Sequence, residues 1–287
     1  MTINTKKFTT GKFATYVFLY VFLGYFLLPL AWLLIGSTKT NAGLFSSFGF
    51  WFDKDFHFWQ NVRDVFAFGH GAFVIWMKNT VVYAVTTAVG SSFISSLAGY
   101  AFTQYRFAGR NLLFGIVLAS VFVPTTVFAL PLYLLISKTG LSGSLLAVIL
   151  PSLISPFGVY LMRIYAEQAI PQDLIDAARI DGAGEFRIFA TIALRLLAPG
   201  YVTALLFAFV AAWNNYFLPL LVLSKSSVYT VSVGLAYWNS VVGPQASQQI
   251  YPLIVTGSVL GTLPVMIVFL FLQRYWQNGL ALGSIKG

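Results

Sequence analysis

Eight residues of this 287-residue chain carry a carboxylate, and five of them sit in one short run. Asp173, Asp176, Asp181 and Glu185 lie between Ile170 and Pro199, with Glu167 just ahead and Arg179, Arg187 and Arg195 interleaved. Acids and guanidiniums at this spacing suit general acid–base work, a proton or cation relay, or charge-assisted docking. Acid–base catalysis needs a partner nucleophile or base, and the run holds no histidine or cysteine. His57 and His70 stand apart, no H-E-x-x-H occurs, and both histidines read as loop surface, not as metal ligands. The chain has no cysteine, which removes disulfides, thiolate chemistry and cysteine-bound metals. It also lacks G-x-x-x-x-G-K-[ST]. The Gly-Lys of Gly11 and Lys12 has no earlier glycine, so no P-loop holds ATP here. No catalytic residue, metal site or cofactor of its own is expected.

The elements around this run are apolar. Hydrophobic residues make up 58% of the chain, charged residues only 9%, and mean hydropathy is +0.81. Soluble domains carry about 25% charged residues, so the composition predicts an all-α integral membrane protein in contact with lipid. The net charge of +9 is spread along the chain and is not a nucleic-acid patch. Spans of roughly 20 residues are expected at about Ala14–Ser37, Asn79–Thr103, Leu112–Ile136, Leu145–Met162, Tyr201–Leu223 and Ile250–Leu272, none with an Asp, Glu, Lys, Arg or His in its core. The first span has no small-residue cleavage site after it and reads as a retained helix. With the N-terminus inside, eleven Lys and Arg residues face the cytoplasm and six face outward, which favours both termini inside. That orientation places the charged run in the cytoplasm.

Within the run, Pro171 suits a first helical turn and Asp173 the positive end of that helix. "DLIDAARI" continues the helix, with Ala177 and Ala178 allowing close approach, and Gly182 reads as its C-terminal cap. A second helix is expected from about Glu185 to Leu197, with Pro199 turning the chain into the next span. The pair reads either as a docking surface or as a solvated loop kept out of lipid by its charges. Pro29, Pro124, Pro131, Pro151, Pro156, Pro219, Pro252 and Pro264 fall in or beside spans. They read as ordinary kinks or as bends that open a cavity.

The run resembles the EAA loop of permease subunits in bacterial ABC importers, whose pattern is Glu-Ala-Ala, three residues, Gly, nine residues, Ile-x-Leu-Pro. Asp176, Ala177 and Ala178 stand at the first places, Gly182 at the glycine, and Ile192 and Leu194 near the end. Two departures are an Asp for Glu and Arg195 for the final Pro, so the helix is expected to run further. "AGYAFTQYRFAGRNLLF", "VPTTVFALPLYLLISKTGL", "WNNYFLPL" and "LPVMIVFLFLQRYWQNGLALGSIKG" are similar to the carbohydrate branch, with the second permease subunit of the maltose-transporter type as the nearest likeness. The resemblance implies a type I importer membrane fold. Residues 1–77 would hold the N-terminal tail, first span and first external loop, and residues 78–287 the core with its loop at 167–199. It implies a heterodimer with a second permease subunit, two copies of an ATPase that binds ATP and Mg, and an extracytoplasmic solute-binding protein. Asp173, Asp176, Ala177, Ala178, Arg179, Asp181, Gly182, Ile192 and Leu194 would then couple to the ATPase.

An ion-coupled secondary transporter or channel working without an ATPase is the alternative, but such proteins place ionisable groups inside their helices. A neutral sugar needs amides, hydroxyls and aromatic faces. Trp213, Asn214, Asn215 and Tyr216 are candidates for the pathway or its gate, or for inter-helix hydrogen bonding. The first external loop, about Thr38–Trp76, is aromatic. The last, Ser224–Gln249, resembles the loop that reaches the binding protein, with Trp238, Asn239 and Pro244 near its tip. Because the chain lacks native cysteine, orientation can be read directly. Ser240→Cys should react with an impermeant thiol reagent on intact cells, and Arg187→Cys should react only after the membrane is opened. Labelling at position 187 in intact cells would reverse the orientation.

Overall fold

The computed structural model describes residues 10–240 and 250–281, and every described element is helical. α1 (Thr10–Gly36) is apolar on all sides and exposed along most of its length, as a helix facing lipid requires. At 27 residues it is about 40 Å long, more than the ~30 Å of hydrocarbon. α2 (Asn41–Ser46) follows, and α3 (Phe58–Gln104) runs for 47 residues. The first external loop is therefore largely helical, and the second expected span starts 21 residues earlier than its Asn79 boundary. Apolar aromatics such as Phe66, Phe68 and Phe73 continue the helical surface outward, and the polar residues between them do not break it. Gly69, His70 and Gly71 interrupt α3 with positive φ angles of 60°, 57° and 79°. Two glycines carry this backbone at little cost.

The remaining helices are α4 (Arg110–Val121), α5 (Ala129–Lys138), α6 (Leu146–Ser152), α7 (Pro156–Ala169), α8 (Gln172–Ile180), α9 (Glu185–Ile188), α10 (Leu194–Leu196), α11 (Ala198–Trp213), α12 (Phe217–Val222), α13 (Val231–Ser240) and α14 (Ile250–Ala281). Among the described residues, α1, α3, the joined α6–α7 segment (residues 146–169) and α14 are long and apolar enough to cross a membrane, and six crossings are reached only if each of two bent pairs is one span. The expected third span is bent by 99° between α4 and the segment Thr125–Lys138, after Pro124. The fifth is interrupted at Asn214–Tyr216, between α11 and α12, whereas the fourth counts as one span across the short non-helical stretch Leu153–Ser155 between α6 and α7. Hydropathy alone counts such segments as continuous, because these breaks fall within apolar sequence.

The described residues divide into two compact units, one of residues 10–68, 237–240 and 250–260, the other of residues 69–236 and 261–281. In the first unit, Lys39 is buried and its ammonium donates to Ser47 Oγ at 2.8 Å and the Phe48 carbonyl at 2.7 Å. Asn61 donates to the Ser37 and Lys39 carbonyls at 2.8 and 2.9 Å. The last carbonyls of α1 are taken up locally, Leu33 by Ser37 N–H, Leu34 by Ser37 Oγ, Ile35 by Thr38 N–H and Gly36 by Lys39 N–H.

In the second unit, small residues set how closely α3 and α7 pack. Ser91, Ser92, Ser95 and Ser96 are buried, and a Cβ on Gly99 would lie 2.6 Å from the Arg163 nitrogen and the Met162 carbonyl carbon. A Cβ on Gly158 would lie 2.5 Å from Ser95 Oγ. Small residues at such contacts are how helices associate in lipid, where apolar surface gives no preference for protein. The Ser92 and Ser95 hydroxyls are enclosed without a hydrogen bond.

Gly99→Leu should therefore separate α3 from α7 and lower the melting temperature of the detergent-extracted protein by several degrees, because overpacking costs about 1–3 kcal/mol. Gly115→Leu, where a side chain meets nothing within 4 Å, should leave it unchanged. A fluorescence-detected thermal profile measures both.

Candidate docking surface and span break

The charged run folds as expected into two short helices. Pro171 sits just before α8, not within its first turn, with φ −64° and extended ψ. Asp173 lies in that first turn, where the helix dipole favours a carboxylate. At the other end, Gly182 N–H donates to the Arg179 carbonyl and Ala183 N–H to the Ala178 carbonyl, each at 3.0 Å. Gly182 has φ +77°. These two bonds and the left-handed residue make a Schellman cap. Beyond it, Glu185–Leu196 runs as α9, a π-helical turn over Phe189–Ala193, and α10. The helix continues through Arg195, and the chain then turns by 81° into α11, with Pro199 in its first turn.

One face of this pair is anchored. Ile175, Ala178, Ile188, Phe189, Ala193 and Leu197 are buried with Met162, Ala166 and Ile170, and Ile192 and Leu194 pack at the edge of the cluster. The opposite face is open. Ile180 is 87% and Phe186 76% exposed, and Asp173, Asp176, Ala177 and Asp181 are exposed beside them. Two large apolar side chains thus stand exposed within a charged rim.

Arg179 holds the two helices together. Its Nε donates to Glu185 Oε1 at 2.7 Å, one terminal nitrogen to Glu185 Oε2 at 3.3 Å, and the other to Asp176 Oδ1 at 3.0 Å. Gln172 also donates to Asp176 Oδ1, at 3.2 Å. Tyr105, just past α3, donates its hydroxyl to Glu185 Oε2 at 2.6 Å. Hydrogen bonds from Arg179 and then from Tyr105 hold the Glu185 pKa below its ordinary 4.5. The clamp is therefore complete above the ordinary glutamate range and is lost as pH falls through the lowered value. Burial, and then donation to Glu185, push the Tyr105 phenol upward. Tyr105 was not among the candidates, because its partner lies 80 residues away and no local spacing reports that contact. A tyrosine beside Arg106 at a span boundary is the only sequence signal.

The four candidates at the span break divide. Trp213 is buried and donates to the Gly261 carbonyl at 3.0 Å. Asn215 donates to Tyr83 Oη at 3.0 Å and accepts from Leu218 N–H at 3.4 Å. The Tyr83 hydroxyl lies 3.0 Å from Ser152 Oγ, which donates to the Val148 carbonyl. These two residues tie helices together. Asn214 donates only to the Val210 carbonyl of its own helix, and it and Tyr216 stay exposed. Of the outer-loop candidates, Asn239 is exposed and Pro244 lies outside the described residues. Trp238 departs from its expected place at a loop tip. It is 2% exposed and packs edge-on against Phe68 at 5.3 Å, so it offers no surface to a partner. Among the described residues no cluster of acids and histidines is arranged to hold a metal ion.

The family described as binding-protein-dependent transport system inner membrane component matches residues 91–281. The arabinooligosaccharides transport system permease protein AraQ of Bacillus subtilis (strain 168) is 35% identical over 285 residues, 99% of each chain. The lactose transport system permease protein LacG of Rhizobium radiobacter is 31% identical over 261 residues, 90% of each chain. The maltodextrin transport system permease protein MdxG of Bacillus subtilis (strain 168) is 33% identical over 282 residues, 96% of this chain and 97% of the other. A bacterial ABC transporter involved in the import of the acidic polysaccharide alginate shares the fold, with a TM-score of 0.81 at 22% identity over 96% of this chain and 100% of that one.

The Gly182 cap yields a discriminating test. A Cβ there meets nothing within 4 Å, so a substitution is opposed only by backbone conformation. Gly182→Val should cost about 1–2 kcal/mol for the left-handed residue and raise hydrogen exchange in residues 172–183. Gly182→Asn, which tolerates that conformation, should stay near wild type.

Proposed function

The chain belongs to the family of binding-protein-dependent transport system inner membrane components, and from that premise we propose that it forms one half of the membrane pathway of an ATP-driven importer for a sugar or oligosaccharide. Members are multi-pass permease subunits of ABC importers. They are not enzymes, and they work with an ATPase and a substrate-binding protein. This membership supports the importer reading over an ion-coupled carrier.

In the proposed assembly a related permease forms the other half, as a heterodimer, and two ATPase copies bind ATP and Mg. A solute-binding protein outside delivers the sugar. The excess of Lys and Arg on one side supports cytoplasmic termini. The names of the arabinooligosaccharide, lactose and maltodextrin relatives support the substrate class.

The observation that carries this reading is the helix pair α8–α9. Its inner face is fixed to α7 through Ile175, Ala178 and Ile188, and its outer face presents Ile180, Phe186, Asp176 and Asp181 unpartnered by apolar packing. A rigid seat with an open apolar and acidic face suits docking into a groove of the ATPase. Movement of that groove on closure would then shift the spans between two packed arrangements. Asn214 and Tyr216, exposed beside the break in the fifth span, are the residues proposed to face the pathway. Exposed hydroxyl and amide groups at a broken helix suit a water-filled route.

Asp176→Lys reverses the charge on the open face and opposes Arg179. Permease abundance in the membrane should be normal, and ATPase recovered by pull-down should fall at least tenfold, with uptake lost. Full ATPase recovery and full uptake would leave the run a solvated loop.

A further inference from the structure

Within the second unit several crossings have a bend, a short non-helical stretch or an internal proline. The segment from Arg110 to Lys138 bends by 99°, α6 and α7 are separated at Leu153–Ser155, and α11 and α12 at Asn214–Tyr216. α14 carries Pro264. α3 differs. From Ala72 to Gln104 it is continuous and free of proline, and its one departure from right-handed backbone, Gly69–Gly71, lies before this stretch. Tyr105 extends the last turn, with its N–H on the Ala101 carbonyl. The rise from Asn79 to Tyr105 is about 39 Å.

Both ends of this rod are bonded to segments far away in sequence. At one end Trp76 Nε1 donates to the Ser226 carbonyl at 2.9 Å, and Asn79 Nδ2 donates to the Ser227 and Tyr229 carbonyls at 3.0 Å each. Thr80 Oγ1 accepts Val231 N–H at 2.8 Å. A Cβ on Gly234 would overlap the Trp76 ring, so the start of α13 is packed against α3 as well as bonded to it. At the other end Tyr105 donates to Glu185, whose carboxylate Arg179 of α8 also grips. The Tyr100 ring packs against Phe189 of the π-helical turn at 5.3 Å. π-helical turns often lie where a helix is adapted to a function.

We propose that α3 is the strut linking the ATPase-facing helix pair to the external segment 226–231, with Tyr105 as the positioning residue at its inner end and Asn79 at its outer end. This rests on the docking reading of α8–α9. A shift of α8 and α9 pulls on Tyr105 through Glu185. The unbroken helix cannot absorb the shift, because its serine and glycine face is packed against α7, and Asn79 delivers it to the Ser227 and Tyr229 carbonyls. The segment that moves leads directly into α13, on the side proposed to receive the binding protein. Coupling therefore runs through identifiable bonds, and deleting either end bond should disconnect the two sides.

The test uses the transporter complex co-purified with its own ATPase in lipid nanodiscs. Ser227→Cys supplies an external reporter, because its side chain is exposed and only its carbonyl takes part in the Asn79 bond. The complex retaining Ser227 serves as the blank for thiols on other subunits. The rate of reaction with a bulky maleimide is measured without nucleotide and after trapping with ADP and vanadate. Trapping should change the rate several-fold. Tyr105→Phe, which removes only a hydroxyl, should cut that change to less than half, and Asn79→Ala should do the same. The double variant should be no worse than the worse single, while ATPase recovery and vanadate trapping stay at wild-type levels. The strut is overturned if trapping does not alter the rate, or if Tyr105→Phe transmits the full change. It is also overturned if Tyr105→Phe loses the ATPase, because Tyr105 is then only structural. Asp176→Lys in the same experiment separates the two ideas. ATPase retention there counts against docking itself, whereas ATPase loss there with full transmission in Tyr105→Phe counts against the strut alone.

Discussion

The close approach of α3 and α7 at Gly99 is the contact on which the charged end of the molecule depends. No side chain fits between the two backbones there. Because they meet at that distance, Met162 and Ala166 of α7 are sealed from solvent and, with Ile170, form the floor that Ile175, Ala178 and Ile188 cover. In hydrocarbon, apolar area gives helices little reason to choose each other over lipid. The contact must come from fit, and the serines and glycines along α3 supply it. The enclosed, unbonded hydroxyls of Ser92 and Ser95 are a cost of that fit. A helix pair seated on such a floor has a fixed position relative to the spans, which a loop held by charges alone would lack.

The second constraint is dielectric. Ionised groups are expensive within the bilayer, so the charges of this chain gather outside its apolar spans. Here they are used economically. Arg179 bridges Asp176 and Glu185 across the turn at Gly182, and Tyr105 adds a donor from α3. Exposed ion pairs of this type contribute only about 0.2–1 kcal/mol each. Their value lies in geometry, since a forked guanidinium fixes the angle between α8 and α9. Apolar burial on the inner face does most of the holding, and the outer face keeps Ile180 and Phe186 free.

Much of this was legible in the sequence, for definite reasons. Gly182 was identifiable because a positive-φ cap demands a residue type that stands out, and Pro199 because it cannot continue a helix. The membrane class followed from 9% charge. The breaks were less legible. Pro124 marks one, but the interruption at Asn214–Tyr216 has no proline at its centre, and its amides read equally well as pathway or glue. The structure gives Asn215 to the glue, through Tyr83, and leaves Asn214 exposed. Trp238 was misplaced because an aromatic in a loop-like stretch looks the same whether it faces solvent or Phe68. The Tyr105–Glu185 bond and the ties from Asn79 to Ser227 and Tyr229 were out of reach, since contacts 80 to 150 residues apart leave no periodic trace.

The proposed seat of the ATPase is the pair α8 and α9, and the open side chain of Ile180 tests it most directly. A photo-crosslinking amino acid at position 180, 87% exposed in this chain, would be activated in membranes that contain the whole transporter. One dominant product is expected, the permease joined to the ATPase subunit, and it should disappear when the same group is placed at buried Ile175. Crosslinks from position 180 to lipid alone, or to no subunit at all, would contradict the proposed seat.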